Sequence, residues 1–222
     1  MRRAFSLSVG VAAALACVPA SGQQVELTDK RVVLSKFADC LVRMGPGQSE
    51  KLLRTQPGSP DERRAAEVLG RGQSSCLTNR MFLSMQPGMI RGLVAEAMFK
   101  RRHRDWLAAA QGLPMSAPIR AARPPKSDAG AATGRDPKAV GAFLNGYSAC
   151  LVKADPAEVA KLLGTGIDTA QERDAILGFG DNLKDCMPFG VVYEPDIGVL
   201  RAHLGSALYL QFAGQQQSVA AK

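Results

Sequence analysis

The side chains best equipped for chemistry occur in pairs, and every pair has the same spacing. Glu62 and Glu172 are 110 residues apart, as are Arg63 and Arg173, and Arg91 and Arg201. Carboxylates at matched positions invite an acid–base reading. Each glutamate, however, closes an S/T-x-x-E sequence, Ser59-Pro60-Asp61-Glu62 and Thr169-Ala170-Gln171-Glu172. That is the capping box of a helix start, which accounts for both residues without catalysis, and no catalytic residue is assigned. Arg91 and Arg201 could each clamp a carboxylate or a helix end between helices, or bind an anionic ligand once per copy. The densest positive charge is Lys100-Arg101-Arg102-His103-Arg104, followed by Trp106. It suits contact with an anionic surface; equally, it suits a solvated helix end whose cations complement the dipole. His103 and His203 stand at no metal-ligand spacing from a cysteine or carboxylate, so neither metal nor cofactor is expected. Gly70-Arg71-Gly72 and Gly178-Phe179-Gly180 lack the third glycine of a dinucleotide fingerprint and read as helix breaks or close contacts.

The element that must position these residues is a unit the chain contains twice. At a constant offset of 110, residues 32–99 fall on 142–209 without a gap, and about a quarter of the positions are identical. Cys40-Leu41-Val42-Arg43 returns as Cys150-Leu151-Val152-Lys153, and Cys76 returns as Cys186. Apart from Cys17, four cysteines remain, an even number that reads as a disulfide framework in an oxidising compartment. Three pairings are possible. The duplication selects Cys40–Cys76 and Cys150–Cys186, because copied units should form the same bond twice. Closing each loop contributes roughly 4 kcal/mol in the chain-entropy model.

Scarce aromatics and abundant alanine and leucine favour helix over sheet. Helical spacing of apolar residues predicts a first helix over 28–44 and 137–154, and a short second one near 48–55 and 156–163. The third starts at the capping boxes and ends near the second cysteine. The fourth runs over 87–110 and 195–212, with Ile90, Val94, Ala97 and Met98 as its apolar stripe, matched by Leu200, Leu204, Ala207 and Leu208. The fold class is therefore all-α, a tandem duplication of a roughly four-helix unit with one disulfide per unit. Repeat 1 spans 28–111 and repeat 2 spans 136–212. Residues 112–135, rich in proline, glycine, alanine and serine, read as a flexible linker, and 213–222 as a disordered tail.

Met1-Arg2-Arg3 and the apolar run from Ala4 to Val18 have the form of a secretory signal peptide, with cleavage expected after Gly22. The run is too short for a membrane-spanning helix, and no other segment is apolar enough, so the expected location is extracytoplasmic, periplasmic or secreted. Lipidation at Cys17 is a weaker alternative, because Ala14-Leu15-Ala16-Cys17 matches a lipobox only in part. Charge is unevenly shared: 15 basic and 8 acidic residues lie between 28 and 105, net +7, against 6 basic and 10 acidic between 136 and 210, net −4. Opposite signs favour docking of the copies on each other, or one basic face for an outside partner. Secretion argues against nucleic acid as that partner.

The pattern F/Y-x-x-C-L-V-R/K, then L-L, S/T-x-x-E-R and the second cysteine, resembles a group of uncharacterised secreted bacterial proteins with the same paired-cysteine helical unit. The resemblance covers most of the chain after the leader. It implies the fold and carries no activity. The functional expectation is a binding protein without catalysis that contacts an anionic envelope component or acidic protein through Arg91, Arg201, Lys100, Arg101, Arg102, Arg104 and Trp106. The alternatives are an envelope enzyme using a repeat-shared glutamate, and a purely structural envelope protein.

Overall fold

Local sequence signals start and stop the short helices at the same place in both copies. In the computed structural model, which describes residues 21–72, 74–76, 85–121, 137–189 and 196–220, repeat 1 comprises α1 (Ser21–Met44), α2 (Pro46–Arg54), α3 (Pro60–Gly72), a 3-10 turn (Ser74–Cys76) and α4 (Pro87–Arg102). A short α5 (Trp106–Gln111) follows. Repeat 2 comprises α6 (Pro137–Ala154), α7 (Pro156–Gly164), α8 (Ala170–Gly178), α9 (Asn182–Asp185) and α10 (Ile197–Ala220). Pro46 and Pro156 open α2 and α7, where a missing N–H costs nothing. Asp155 adds a side-chain cap by accepting from the Glu158 N–H at 2.9 Å. Thr55 and Thr165 end the same helices in extended backbone, each hydroxyl donating to the carbonyl three residues earlier, Leu52 O at 2.6 Å and Leu162 O at 2.7 Å.

Both disulfides form within their own copy, Cys40–Cys76 and Cys150–Cys186, each with Cα atoms 5.6 Å apart. They tie the first helix of each unit to the segment after the third, which ends before the second cysteine and not at it: Cys76 lies in the 3-10 turn and Cys186 caps the end of α9. Both bonds fit an oxidising environment outside the cytoplasm. No helix among the described residues is long and apolar enough to cross a membrane. The expected signal peptide, with Cys17, lies outside the described residues apart from Ser21 and Gly22, and so do linker residues 122–135.

Each copy has its own apolar core. Phe37, Leu41, Leu52, Leu53, Leu69 and Met98 centre the first; Phe143, Leu151, Leu162, Leu163, Phe179 and Leu204 centre the second. The cores are joined by α4 and α10, which cross in opposite directions: Arg91 meets Ser206 and Glu96 meets Arg201. At the crossing, a Cβ on Gly92 would overlap the backbone of Ala202, so only glycine permits this approach. Phe99 of α4 sits in the core of repeat 2, and Tyr209, its counterpart on α10, packs against both cores. Docking thus combines close apolar packing with ion pairs between the copies, Glu96 with Arg201 and Arg31 with Glu172.

The expected fourth helix of repeat 1 breaks at residues 103–105. Asp105 caps a new helix by accepting from the Ala108 N–H at 3.0 Å, and α5 packs on repeat 2, with Trp106 covering Gly164. Residues 112–121, read as the start of a flexible linker, strap across repeat 2. Leu113 and Ala121 are buried in its core, Ser116 N–H donates to Lys153 O at 2.8 Å, and Ala121 N–H donates to Cys186 O at 3.0 Å. Apolar residues scattered among prolines leave no periodicity, which is why composition alone suggested a tether. α10 runs on to Ala220, past the point where a disordered tail was expected.

Candidate functional site

Arg91 and Arg201 organise the centre of the molecule. Each projects from the fourth helix of its unit onto the C-terminal end of the second helix, where the last carbonyls lack intrahelical partners. The Arg91 guanidinium donates to Leu52 O at 2.9 Å, Leu53 O at 2.6 Å and Thr55 O at 2.9 Å. Arg201 donates to Leu163 O at 2.5 Å and Thr165 O at 3.1 Å. A cation there also meets the negative end of the helix dipole.

The matched glutamates complete both clamps. Glu62 Oε2 accepts from Gly58 N–H at 2.6 Å, and Glu172 Oε2 from Asp168 N–H at 2.9 Å. The capping box therefore closes one residue earlier than its usual form, on the residue before the cap. That residue takes a left-handed turn in both copies, Gly58 at φ 79° and Asp168 at φ 58°. Ser59 and Thr169 accept from the glutamate N–H groups at 3.2 Å. The second oxygen of each carboxylate turns towards the arginine: Glu172 Oε1 lies 3.1 Å from Arg201 Nη1, Glu62 Oε1 3.9 Å from Arg91 Nη1.

Across the docking plane the two clamps differ. Arg91 Nε donates to the Ser206 hydroxyl at 3.1 Å. At the equivalent place beside Arg201 stands Glu96, whose carboxylate accepts from Arg201 Nη2 at 2.9 Å and from Lys100 at 2.6 Å. Arg31 of α1 also reaches over from repeat 1 to Glu172 Oε1 at 2.5 Å. Burial pushes the Glu96 carboxyl up, but Lys100 and Arg201 outweigh it and hold Glu96 below the ordinary carboxylate range. Burial lowers Arg201 too, but Glu96 and Glu172 raise it above its usual value. At Arg91 burial prevails over Glu62, and its pKa is lowered. Among the described residues, no cluster of three or more His, Cys, Asp or Glu side chains could hold a metal ion.

Two grooves open beside the clamps. One, of about 280 Å³, is lined by Pro57, Asn145, Lys153, His203 and Ser206 among others. The second, of about 170 Å³, is lined by Arg31, Ser35, Leu93, Glu96, Ile167 and Arg201 among others. Pro57, Asn145, His203 and Ser206 occupy the positions of Ile167, Ser35, Leu93 and Glu96, so the grooves are counterparts. In the first, the His203 ring nitrogen Nδ1 pairs with Asn145 Oδ1 at 2.8 Å, and burial lowers the imidazole to about 4.

Arg91 and Arg201 were grouped with the exposed basic run as candidate binding residues. The structure separates them: they are 1% and 6% exposed and committed to internal acceptors. Lys100 pairs with Glu96, and Arg102 with Glu50. Arg101 and Arg104 are exposed and, among the described residues, have no carboxylate within 4.0 Å. Trp106 is partly buried and packs against Gly164 of repeat 2. Arg31, Glu96, Thr55, Thr165 and Ser206 belong to the clamps but were not singled out. Threonine at the same offset in both copies was the available signal for one pair. Arg31 and Glu96 break the repeat and left none.

Comparison with known proteins finds no family model, no curated protein and no solved structure that matches this chain.

Proposed function

We infer that the chain is a non-catalytic extracytoplasmic binding protein that meets an anionic envelope component or acidic protein through the end of α4. The carrying observation is the state of the basic run. Arg101 and Arg104 are exposed with no carboxylate within 4.0 Å among the described residues, and Lys100, Arg101 and Arg43 all act on Asp39 of α1. More positive charge is concentrated there than a helix terminus needs, and desolvating it against an anion is the way such a patch contributes binding. Delivery by the leader and extracytoplasmic residence belong to the same reading, and the paired disulfides support it. A catalytic glutamate has less support, because one oxygen of Glu62 and of Glu172 is bonded to backbone and both residues are buried. The test compares the wild type with Arg101→Gln/Arg104→Gln, which leaves every ion pair intact, for retention on phosphatidylglycerol vesicles and in pull-downs from envelope extract at low salt. Loss of retention in the variant is expected. Undiminished retention in both assays would remove the basic end of α4 from the account.

A further inference from the structure

Glu62 in repeat 1 lacks the second guanidinium that its counterpart Glu172 in repeat 2 receives from Arg31. In repeat 2, Glu172 Oε1 is flanked by two guanidiniums, Arg201 at 3.1 Å and Arg31 at 2.5 Å. Arg31 arrives from the first helix of the opposite copy and lies against Gly198. Shifting each participant by 110 maps Glu172 to Glu62, Arg201 to Arg91, Gly198 to Gly88, and Arg31 to Gly141. The second cation is therefore missing. Glu62 Oε1 is buried and has no hydrogen-bond donor among the described residues, and Arg91, at 3.9 Å, is beyond hydrogen-bonding range. A buried carboxylate oxygen left in this state is costly, and repeat 2 shows that a second guanidinium resolves it beside the first.

Space matches chemistry. A Cβ at Gly141 or at Gly88 would meet nothing within 4 Å, whereas the neighbourhood of Gly198 is filled by Arg31 and Asp196. One turn beyond Gly141, Asn145 lines the larger groove, together with Pro57, which adjoins the Gly58 N–H bonded to Glu62, and Ser206, which accepts from Arg91. The groove thus borders the Arg91–Glu62 clamp through two of its lining residues, Pro57 and Ser206. Lys153, also in the lining, is exposed to solvent, which screens its charge.

We propose that the open space at Gly141 and Gly88 takes the guanidinium of a small ligand or of a partner's arginine side chain, with Glu62 Oε1 as its acceptor in the role Glu172 Oε1 plays for Arg31. This site is separate from the basic end of α4 and asks for a ligand of opposite charge, so either reading can fail without the other.

The test uses the full disulfide-bonded chain, N-acetylargininamide as probe and its uncharged urea isostere, N-acetylcitrullinamide, as control. Calorimetric titration should show saturable binding of the first, at least tenfold tighter than the second. Gly141→Arg, which tethers the missing guanidinium, should abolish binding and raise the melting temperature. Glu62→Gln should abolish binding as well, and circular dichroism would confirm its helices. Should Gly141→Arg fold poorly, chemical-shift changes on wild-type Gly58 and Gly141 N–H groups during the titration give the same information. Absence of saturable binding, equal affinity for the urea analogue, unchanged binding to folded Gly141→Arg, or shifts confined to other residues would each overturn the proposal.

Discussion

The two arginine clamps share one scaffold and differ in what surrounds it. Arg201 sits among two carboxylates, with Lys100 and Arg31 supplying further cations. Arg91 has one carboxylate, at longer range, and a hydroxyl. Both hold the same helix end, so the part of the clamp that repeats is structural and the part that varies is the charge across the docking plane. Duplication preserved the fold-bearing contacts and left Glu96/Ser206, Arg31/Gly141 and Leu93/His203 free to diverge.

Removing the arginines probes that difference first. Arg91→Ala leaves Glu62 buried with no cation nearby and should destabilise by about 4 kcal/mol. Arg201→Ala leaves Glu96 with Lys100 and Glu172 with Arg31, and should cost about 2 kcal/mol less. Denaturant titration of both variants checks the order; a larger loss for Arg201→Ala would reverse the comparison. Next in size is the crossing of α4 and α10. Gly92→Ala must push two backbones apart and should cost about 3 kcal/mol, the upper end for overpacking, measured as a lowered melting temperature.

A pH profile separates the grooves. His203 titrates at about 4 in the folded chain against 6.5 as its reference. Its contribution to stability is complete above pH 6.5, falls as the unfolded chain takes up a proton that the folded chain refuses, and is lost by about pH 4. His203→Leu, which copies Leu93, should flatten stability over that window. Glu96 acts lower: its folded pKa is depressed below the reference 4.5, so its contribution is present above pH 4.5 and lost as pH falls through the folded value, and Glu96→Ser, copying Ser206, should remove that loss. The smallest effect belongs to the left-handed turn: Gly58→Ala should cost about 1 kcal/mol, seen as a shift of the denaturation midpoint.

Much of the fold could be read from residue order, because helices, caps and disulfides depend on neighbours or on a fixed repeat. Pro46, Pro156 and the two capping boxes mark helix starts locally, and the 36-residue cysteine spacing marks the bonds. The docking plane could not be read this way. Gly92 looks like any helical glycine until Ala202 is placed against it, and the break at 103–105 follows from α5 packing on the other copy. Lys100 and Arg102 sit in an unbroken basic run, yet their partners Glu96 and Glu50 are fixed by tertiary contact. Composition showed a patch; only packing divides it into paired and free cations.

The central claim is that the two copies form one cooperative body joined at α4 and α10. Trp106, the single tryptophan, leaves repeat 1 and packs on Gly164 of repeat 2, so its fluorescence reports on the second copy. Destabilising the first copy with Arg91→Ala and following denaturation by both tryptophan fluorescence and far-ultraviolet circular dichroism tests the coupling directly. One transition, with both signals moved to the same lower midpoint, is the expected result. A tryptophan midpoint that stays at the wild-type value while part of the helical signal is lost earlier would contradict it.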